Sequence, residues 1–275
     1  MFISLRRGVM TESHPDFADL PEKMPVLFVG HGSPMNAIED NEFSRAWAEL
    51  GRALPKPRAI LCVSAHWETP GPQVTAMERP RTIDDFYGFP QALYDVTYPA
   101  PGSPELARRV QASIPNPQVQ LDQSWGLDHG AWSVLCRMFP DAQIPVVQFS
   151  LDRGLLPQAH YDLGRQLRDL RRKGVLIVGS GNIVHNLRRI NWDGGAFDWA
   201  LDFDDTMRRL ILAGDHAAII DYPKLGEAAR LAIPTNEHFL PLLYILALRE
   251  KDEDVRFFAE KVSMGSLSMR SLQIG

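Results

Sequence analysis

Five histidines lie at predicted turns or at the ends of predicted strands, where a side chain can face a crevice. They are His31, His66, His129, His185 and His238. Several imidazoles gathered in one place would repel one another if protonated, and a shared metal ion removes that repulsion. Imidazole suits zinc, iron and copper, so the residue types predict a metal site without choosing the metal. The alternative is a set of unrelated turn histidines, as we expect for His14, His160 and His216.

Two of these histidines follow short apolar runs. Residues 26–29 and 59–64 are typical of strands buried on both faces, and a helical pattern at residues 41–50 lies between them. A strand, a crossover helix and a second strand predict a βαβ unit with parallel strands. His31 and His66 follow these strands, so both are predicted at the carboxyl edge of the sheet, where open α/β sheets place their ligand sites.

The alternation of strands and helices continues and predicts an α/β fold. Further strands are predicted at residues 144–150 and 175–178, with a closing strand within 264–274. Helices are predicted at residues 104–114, 157–173, 198–213 and 224–231, and from residue 234 onward, and the stretch 125–132 opens another that runs through Leu135 and Met138. The length of 275 residues allows one large domain or two ordinary ones.

Two further histidines lie in contexts that favour a role in the same crevice. His129 opens a predicted helix, and a helix N-terminus lowers the proton affinity of an imidazole, which suits a base that is neutral at rest. His185 follows a Gly-x-Gly turn at residues 179–181. That turn could bind phosphate, but the third glycine and the P-loop lysine are missing. We therefore expect the turn to carry His185 to the edge that holds His31 and His66.

Residues 70–103 are rich in proline, glycine and aromatic residues. A long irregular segment in a compact domain is usually a lid or a binding loop, which would give Phe86, Tyr87 and Phe89 contact with a ligand. The alternative is that these aromatic rings simply hold the segment against the body of the protein.

Composition excludes several classes of protein. The net charge of -5 comes with no stripe of Lys and Arg, which argues against a nucleic-acid partner. The two cysteines lie in apolar runs and predict buried thiols in a reducing compartment rather than a disulfide. No apolar run approaches the length of a membrane span and no secretory signal is recognisable, so we expect a cytoplasmic protein. Residues 1–23 are predicted to be a poorly ordered or peripheral extension of a domain at residues 24–275.

Several motifs resemble those of one enzyme family. In chain order they are Gly30-His31-Gly32-Ser33-Pro34-Met35-Asn36, Ser64-Ala65-His66-Trp67, Asp85-Phe86-Tyr87-Gly88-Phe89-Pro90, Gly126-Leu127-Asp128-His129-Gly130, Gly179-Ser180-Gly181-Asn182-Ile183-Val184-His185-Asn186, Glu237-His238-Phe239-Leu240-Pro241-Leu242 and Met264-Gly265-Ser266-Leu267-Ser268-Met269. Together they are similar to the 4,5-DOPA-extradiol-dioxygenase-like branch of the class III extradiol ring-cleavage dioxygenases. The resemblance extends from about Pro25 to the C-terminus.

The resemblance implies a single domain with a mainly parallel central sheet flanked by helices. It implies one divalent metal held by His31, His66, His185 and His238, with iron(II) expected for activity and zinc expected as isolated. The substrate would be a small catecholic diol such as DOPA, opened by O₂ to a semialdehyde. His129 is then the candidate acid/base, with His185 as the second choice, and Phe86, Tyr87 and Phe89 would cover the ring.

One position departs from many class III relatives, which use two histidines and a carboxylate. If Glu237 binds the metal, the site becomes His31, His66 and Glu237, and His185 is free to act as the base. If His238 is the last ligand, four histidines surround the ion. A zinc hydrolase and a non-catalytic metal-binding protein are the rival hypotheses. The sequence leaves the choice between a monomer and a homo-oligomer open.

Overall fold

An eight-stranded sheet runs through the centre of the computed structural model, which describes residues 17–275. The strands in this part of the chain are β1 (Val26–Gly30), β2 (Ala59–Thr69), β3 (Gln73–Thr75), β4 (Gln120–Asp122), β5 (Val146–Asp152), β6 (Val175–Gly181), β7 (Val255–Phe258), β8 (Val262–Ser263), β9 (Leu267–Ser268) and β10 (Ser271–Ile274). Their order in the sheet is β4-β3-β5-β2-β6-β1-β10-β7, and β8 pairs with β9 apart from it. The four central strands β5, β2, β6 and β1 are parallel, whereas β10 is antiparallel to both of its neighbours. The predicted α/β fold with a mainly parallel sheet is confirmed.

Helices cover both faces of this sheet. The α-helices of the described residues are α1 (Glu42–Ala53), α2 (Gln91–Tyr94), α3 (Pro104–Ser113), α4 (His129–Met138), α5 (Pro157–Gln166), α6 (Asp198–Ala213), α7 (His216–Ile220), α8 (Glu227–Ala232) and α9 (Leu240–Ala247). Successive strand residues point to opposite faces. In β1, Val26 and Phe28 pack on the side of α5 and α9, whereas Leu27 and Val29 pack on the side of α1 and α4.

Three local predictions need correction. The helix predicted at residues 157–173 ends at Gln166 and continues as a 3₁₀ helix, Arg168–Lys173. The helix predicted from residue 234 begins at Leu240, because Pro241 favours the first helical turn. Strand β2 extends to Thr69, so His66 lies within an irregular stretch of the strand rather than beyond its end.

The predicted N-terminal extension lies mostly outside the described residues. Residues 1–16, including His14, belong to that part of the chain. From residue 17 onward the chain contacts the domain, since Phe17 is buried and the Leu20 backbone N–H donates to the Arg172 carbonyl at 2.7 Å. Among residues 17–275, the helices are too short or too polar to cross a lipid bilayer.

Candidate metal centre

His31 is placed by the close approach of three chain segments. It directly follows β1, and its backbone N–H donates to the carbonyl of Gly181 at the end of β6, at 3.1 Å. A Cβ at Gly30 would lie 2.7 Å from the backbone of Met269, so only glycine fits there. Gly32 has a φ of +60°, which turns the chain away after the histidine. The side chain of His31 is thereby fixed in the interior, 1% exposed.

The five histidines predicted to share a crevice form one continuous cluster of rings. The ring centres of His31 and His66 are 5.0 Å apart, and the ring of His129 lies 3.9 Å from that of His66. The His238 ring lies 5.3 Å from His31 and 4.9 Å from His66, and it stacks on His185 at 3.5 Å. The remaining described histidines lie elsewhere: His160 contacts Tyr244, and His216 contacts Tyr161.

The hydrogen bonds of His31 define which ring nitrogen is free. The hydroxyl of Ser180 has one proton, which it donates to the Gly130 carbonyl at 2.5 Å. The same oxygen lies 3.0 Å from Nδ1 of His31 and must therefore accept a proton from it. We infer that Nε2 of His31 carries a lone pair that points into the cluster.

His238 and His66 show the same pattern. Nδ1 of His238 donates to Oε1 of Glu237 at 2.9 Å, and its Nε2 is buried without a hydrogen-bond partner. Nδ1 of His66 lies 3.4 Å from the carboxylate of Asp85. In each case an outer group faces Nδ1, as is usual for histidines that bind metal, and Nε2 is the nitrogen left for the cluster. Glu237 thus contacts the outer nitrogen of His238.

The separation of the free nitrogens tests whether a metal ion fits. Nε2 of His31 and Nε2 of His66 are 3.1 Å apart. A proton on Nε2 of His66 would make this contact a hydrogen bond, and a metal ion in place of that proton would be bound by both nitrogens. Two adjacent ligands on one ion with metal–nitrogen bonds of about 2.1 Å are expected at about this separation. The donor set therefore fits a divalent transition metal.

Burial keeps these imidazoles neutral. It lowers the pKa of His31 and of His238 well below the usual value, and the neighbouring imidazoles lower both further. Burial and the nearby His129 lower the pKa of His66 to about 3, and burial lowers that of His185 to about 4. Metal ligation requires neutral imidazole, so these histidines are ready to bind at neutral pH.

His185 and His238 are close together, but their rings are parallel. The angle between the ring planes is 6° and the centres are 3.5 Å apart. A nitrogen lone pair lies in its own ring plane, so two parallel rings cannot both point at one ion. An ion midway between the two rings would lie half of 3.5 Å out of each ring plane, although the whole metal–nitrogen bond is only about 2.1 Å long. In this arrangement the two rings cannot both direct a lone pair at the same ion.

His129 begins helix α4 beside two carboxylates. Asp128 caps the helix by accepting the Ala131 backbone N–H at 3.1 Å. Asp85 lies on the other side, with Oδ2 2.9 Å from Nδ1 of His129, although the ring N–H is not aligned for a hydrogen bond. Burial alone would raise the pKa of Asp85, but His129 and His66 outweigh it and lower that pKa. Its ionised form is therefore favoured beside the two rings.

The aromatic residues of the 70–103 segment take different positions. The Phe86 ring lies 5.6 Å from that of His129 in an edge-to-face contact, and it packs on Phe89 at 5.4 Å. Tyr87 points outward and is 92% exposed. Asp85 and Ser180 were not predicted as site residues, although both lie within the motifs given above. The only sequence signal for either residue is that it is polar and lies in a segment predicted to form part of the site.

Known proteins with similar sequences are aromatic ring-opening dioxygenases by name. A family model described as the catalytic LigB subunit of aromatic ring-opening dioxygenase matches residues 25–271. A protein of Escherichia coli (strain K12) named 4,5-DOPA dioxygenase extradiol is 48% identical over 272 residues, covering 97% of this chain and 100% of that protein. A protein of Beta vulgaris with the same name is 41% identical, covering 78% of this chain and 83% of that protein.

One solved structure is also similar. The crystal structure of the uncharacterized protein JW3007 from Escherichia coli K12 matches with a TM-score of 0.81 and 43% sequence identity. The match covers 92% of this chain and 100% of the other. The similarity therefore extends over the sheet, the flanking helices and the segments that carry the histidines.

Proposed function

This chain belongs to the LigB family of aromatic ring-opening dioxygenases and is an extradiol ring-cleavage dioxygenase, and from this premise we propose that it opens a catecholic ring of the DOPA type with O₂, giving a semialdehyde. The observation that supports a metal-dependent reaction is the pair of facing Nε2 atoms of His31 and His66, 3.1 Å apart within a cluster of five histidines. Iron(II) is the metal we propose for activity, and zinc is the ion we expect in protein isolated in air.

Among the four histidines that the resemblance implies as ligands, we propose that His31, His66 and His238 bind the metal, because Nδ1 of each faces an outer group. With this set, Glu237 would support His238 and would not bind the ion itself. Of the four ligands implied by the resemblance, His185 is left out because it is parallel to His238. It remains in the cluster as a proton-transfer group.

The metal and the residues around it would have different roles in the reaction. When bound, the metal would hold both catechol oxygens and pass electron density between the ring and O₂. His129 is the first candidate to remove a hydroxyl proton and return it as the ring opens, and His185 is the second. Phe86, already beside His129, would pack against the substrate ring and exclude water. Tyr87 and Phe89 would complete that cover.

Oxygen uptake by anaerobically iron-loaded protein over a panel of catechols tests the proposal. A yellow ring-opened product with matching oxygen consumption is expected, and no turnover across the panel would contradict the function.

Metal content of two variants tests the ligand set. His238→Ala should lose the metal, whereas His185→Ala should keep it and lose turnover. His216→Ala, outside the cluster, is the control and should change neither. Loss of the metal in both variants of the stacked pair would contradict the three-histidine set.

A further inference from the structure

Asp85 reaches the histidine cluster from the loop between β3 and α2 and contacts two different imidazoles. Its Oδ2 lies 2.9 Å from Nδ1 of His129 and 3.4 Å from Nδ1 of His66. Its Oδ1 accepts the backbone N–H of His129 at 2.8 Å. One carboxylate therefore holds the main chain of one histidine and faces the rings of two.

We propose that Asp85 is a positioning residue that orients the metal ligand His66 and the proton-transfer residue His129 together, and so couples the aromatic loop to the metal centre. The catalytic half of this inference rests on the proposed function. The second part, that Asp85 orients His66 for metal binding, does not depend on which substrate the enzyme uses.

The carboxylate acts through the choice of ring tautomer. Although the ring N–H of His129 is not aligned with Oδ2 for a hydrogen bond, the negative charge of the carboxylate favours a proton on each Nδ1 atom that it faces. In His66 this leaves the lone pair on Nε2, which lies 3.1 Å from Nε2 of His31. In His129 it leaves Nε2 as the acceptor that a base requires. Carboxylates that orient a metal-bound or catalytic imidazole in this way strongly affect affinity and rate.

A purely structural role is a poor explanation for this contact. Helix α4 is already capped by Asp128, which also accepts from Ser64 at 2.7 Å and from Gln148 at 2.7 Å. Asp85 adds one hydrogen bond to this helix end, from the His129 backbone N–H to Oδ1, but its other oxygen, Oδ2, faces the two rings. Its side chain is only 17% exposed although its loop neighbour Asp84 is on the surface. The helix end accounts for Oδ1 alone, and Oδ2 is placed to act on the two rings.

The loop holds Asp85 in place through its neighbour Phe86. That ring lies 5.1 Å from Tyr94, 6.1 Å from Trp132 and 5.6 Å from His129. The aromatic contacts fix the backbone on the C-terminal side of Asp85, so the position of the carboxylate depends on how the loop packs. A change in loop packing is thereby transmitted to His66 and His129 through one side chain.

Asp85→Asn tests the proposal, because it keeps the shape and removes the charge. Asp84→Asn is the matched control on the same loop. The zinc affinity of the metal-free protein is measured by competition with a chromophoric chelator. We expect about 10- to 100-fold weaker binding in Asp85→Asn and less than a twofold change in the control. Equal zinc affinity in Asp85→Asn and the unsubstituted protein overturns the proposal.

Nitrogen-15 NMR of the zinc-bound protein with labelled histidines measures the tautomer of each imidazole. A purely structural role of Asp85 would leave these tautomers unchanged. The unsubstituted protein should show Nδ1–H tautomers for His66 and His129, and Asp85→Asn should shift His129 toward Nε2–H. Unchanged tautomers overturn the proposal. Asp85→Glu, which retains the carboxylate, should recover part of the zinc affinity, and it decides the question if the asparagine variant does not fold.

Turnover of the iron-loaded enzyme tests the catalytic half. We expect kcat to fall about 100-fold or more in Asp85→Asn, with KM within threefold. An unsubstituted protein that turns over no catechol would contradict the proposed function, and zinc affinity and tautomers would still decide the role of Asp85. Normal kcat in Asp85→Asn on an active parent enzyme overturns the catalytic half.

Discussion

Gly30→Ala is the substitution that tests how His31 is held in place. The added Cβ would lie 2.7 Å from the carbonyl carbon of Met269, 2.8 Å from its oxygen and 2.9 Å from its Cα. All three are backbone atoms, so no side-chain rotation relieves the contact. Ordinary contacts of a Cβ begin at 3.4 Å. The two backbones must therefore move apart by the difference between 2.7 and 3.4 Å, about 0.7 Å.

That movement has consequences for both stability and activity. Overpacking of this kind costs about 1–3 kcal/mol, which lowers the Tm of a protein of this size by about 2–4 °C for each kcal/mol. Catalytic groups must be held to within about 0.5 Å, and a 1 Å misplacement can cost about 100-fold in rate. We expect Gly30→Ala to reduce kcat/KM about 10- to 100-fold, because Gly30 directly precedes His31.

Gly154→Ala is the matched control, since its added Cβ would meet a single side-chain oxygen, of Asp152, at 3.4 Å. Calorimetry and steady-state oxygen uptake on the iron-loaded enzymes measure the two effects. We expect the control to match the unsubstituted enzyme in both. If Gly30→Ala has the same Tm and kcat/KM as Gly154→Ala, then the approach of Met269 to Gly30 does not position His31.

Three further substitutions give distinct outcomes. Glu253→Gln removes the carboxylate paired with the buried Arg171 guanidinium, so urea unfolding should show a loss of about 3–5 kcal/mol. Burial would raise the pKa of Glu253, but hydrogen bonds from Arg171 and other donors lower it from 4.5 to about 2. The carboxylate therefore contributes its full stabilisation above about pH 4.5 and loses it toward pH 2. Acid unfolding of Glu253→Gln should lack this pH dependence. Tyr87→Ala should leave Tm within about 1 °C, because the ring is 92% exposed, and should raise KM several-fold through loss of the proposed cover over the substrate. Ser180→Ala should weaken zinc binding about 10-fold by removing the acceptor for Nδ1 of His31.

The sequence predicted those parts of the molecule that depend on local pattern. The apolar runs before His31 and His66 are buried parallel strands, as their composition indicates, and the helix predicted at residues 104–114 is present at Pro104–Ser113. Five histidines predicted to share one edge do form one cluster. Residues close in sequence to a strand end are positioned by that strand, so a local pattern is sufficient for them.

Contacts between distant segments were not predictable in this way. Asp85 contacts His129 across a separation of 44 residues, and nothing in its local sequence distinguishes it from the exposed Asp84. Glu237 and His238 fall within the helix predicted from residue 234 onward, whereas they lie in a turn before Leu240, where His238 Nδ1 donates a hydrogen bond to Glu237. The short strands β3, β4 and β7 were missed because tertiary pairing defines them rather than an apolar pattern.

The place of β10 in the sheet affects the time at which the site can form. Val26 of β1 pairs with Ile274 of β10, which is separated from it by 248 residues, the difference between 274 and 26. During synthesis, the strand that carries His31 therefore lacks one neighbour until β10 has left the ribosome. We expect the histidine cluster to assemble, and the metal to bind, only after β10 has emerged.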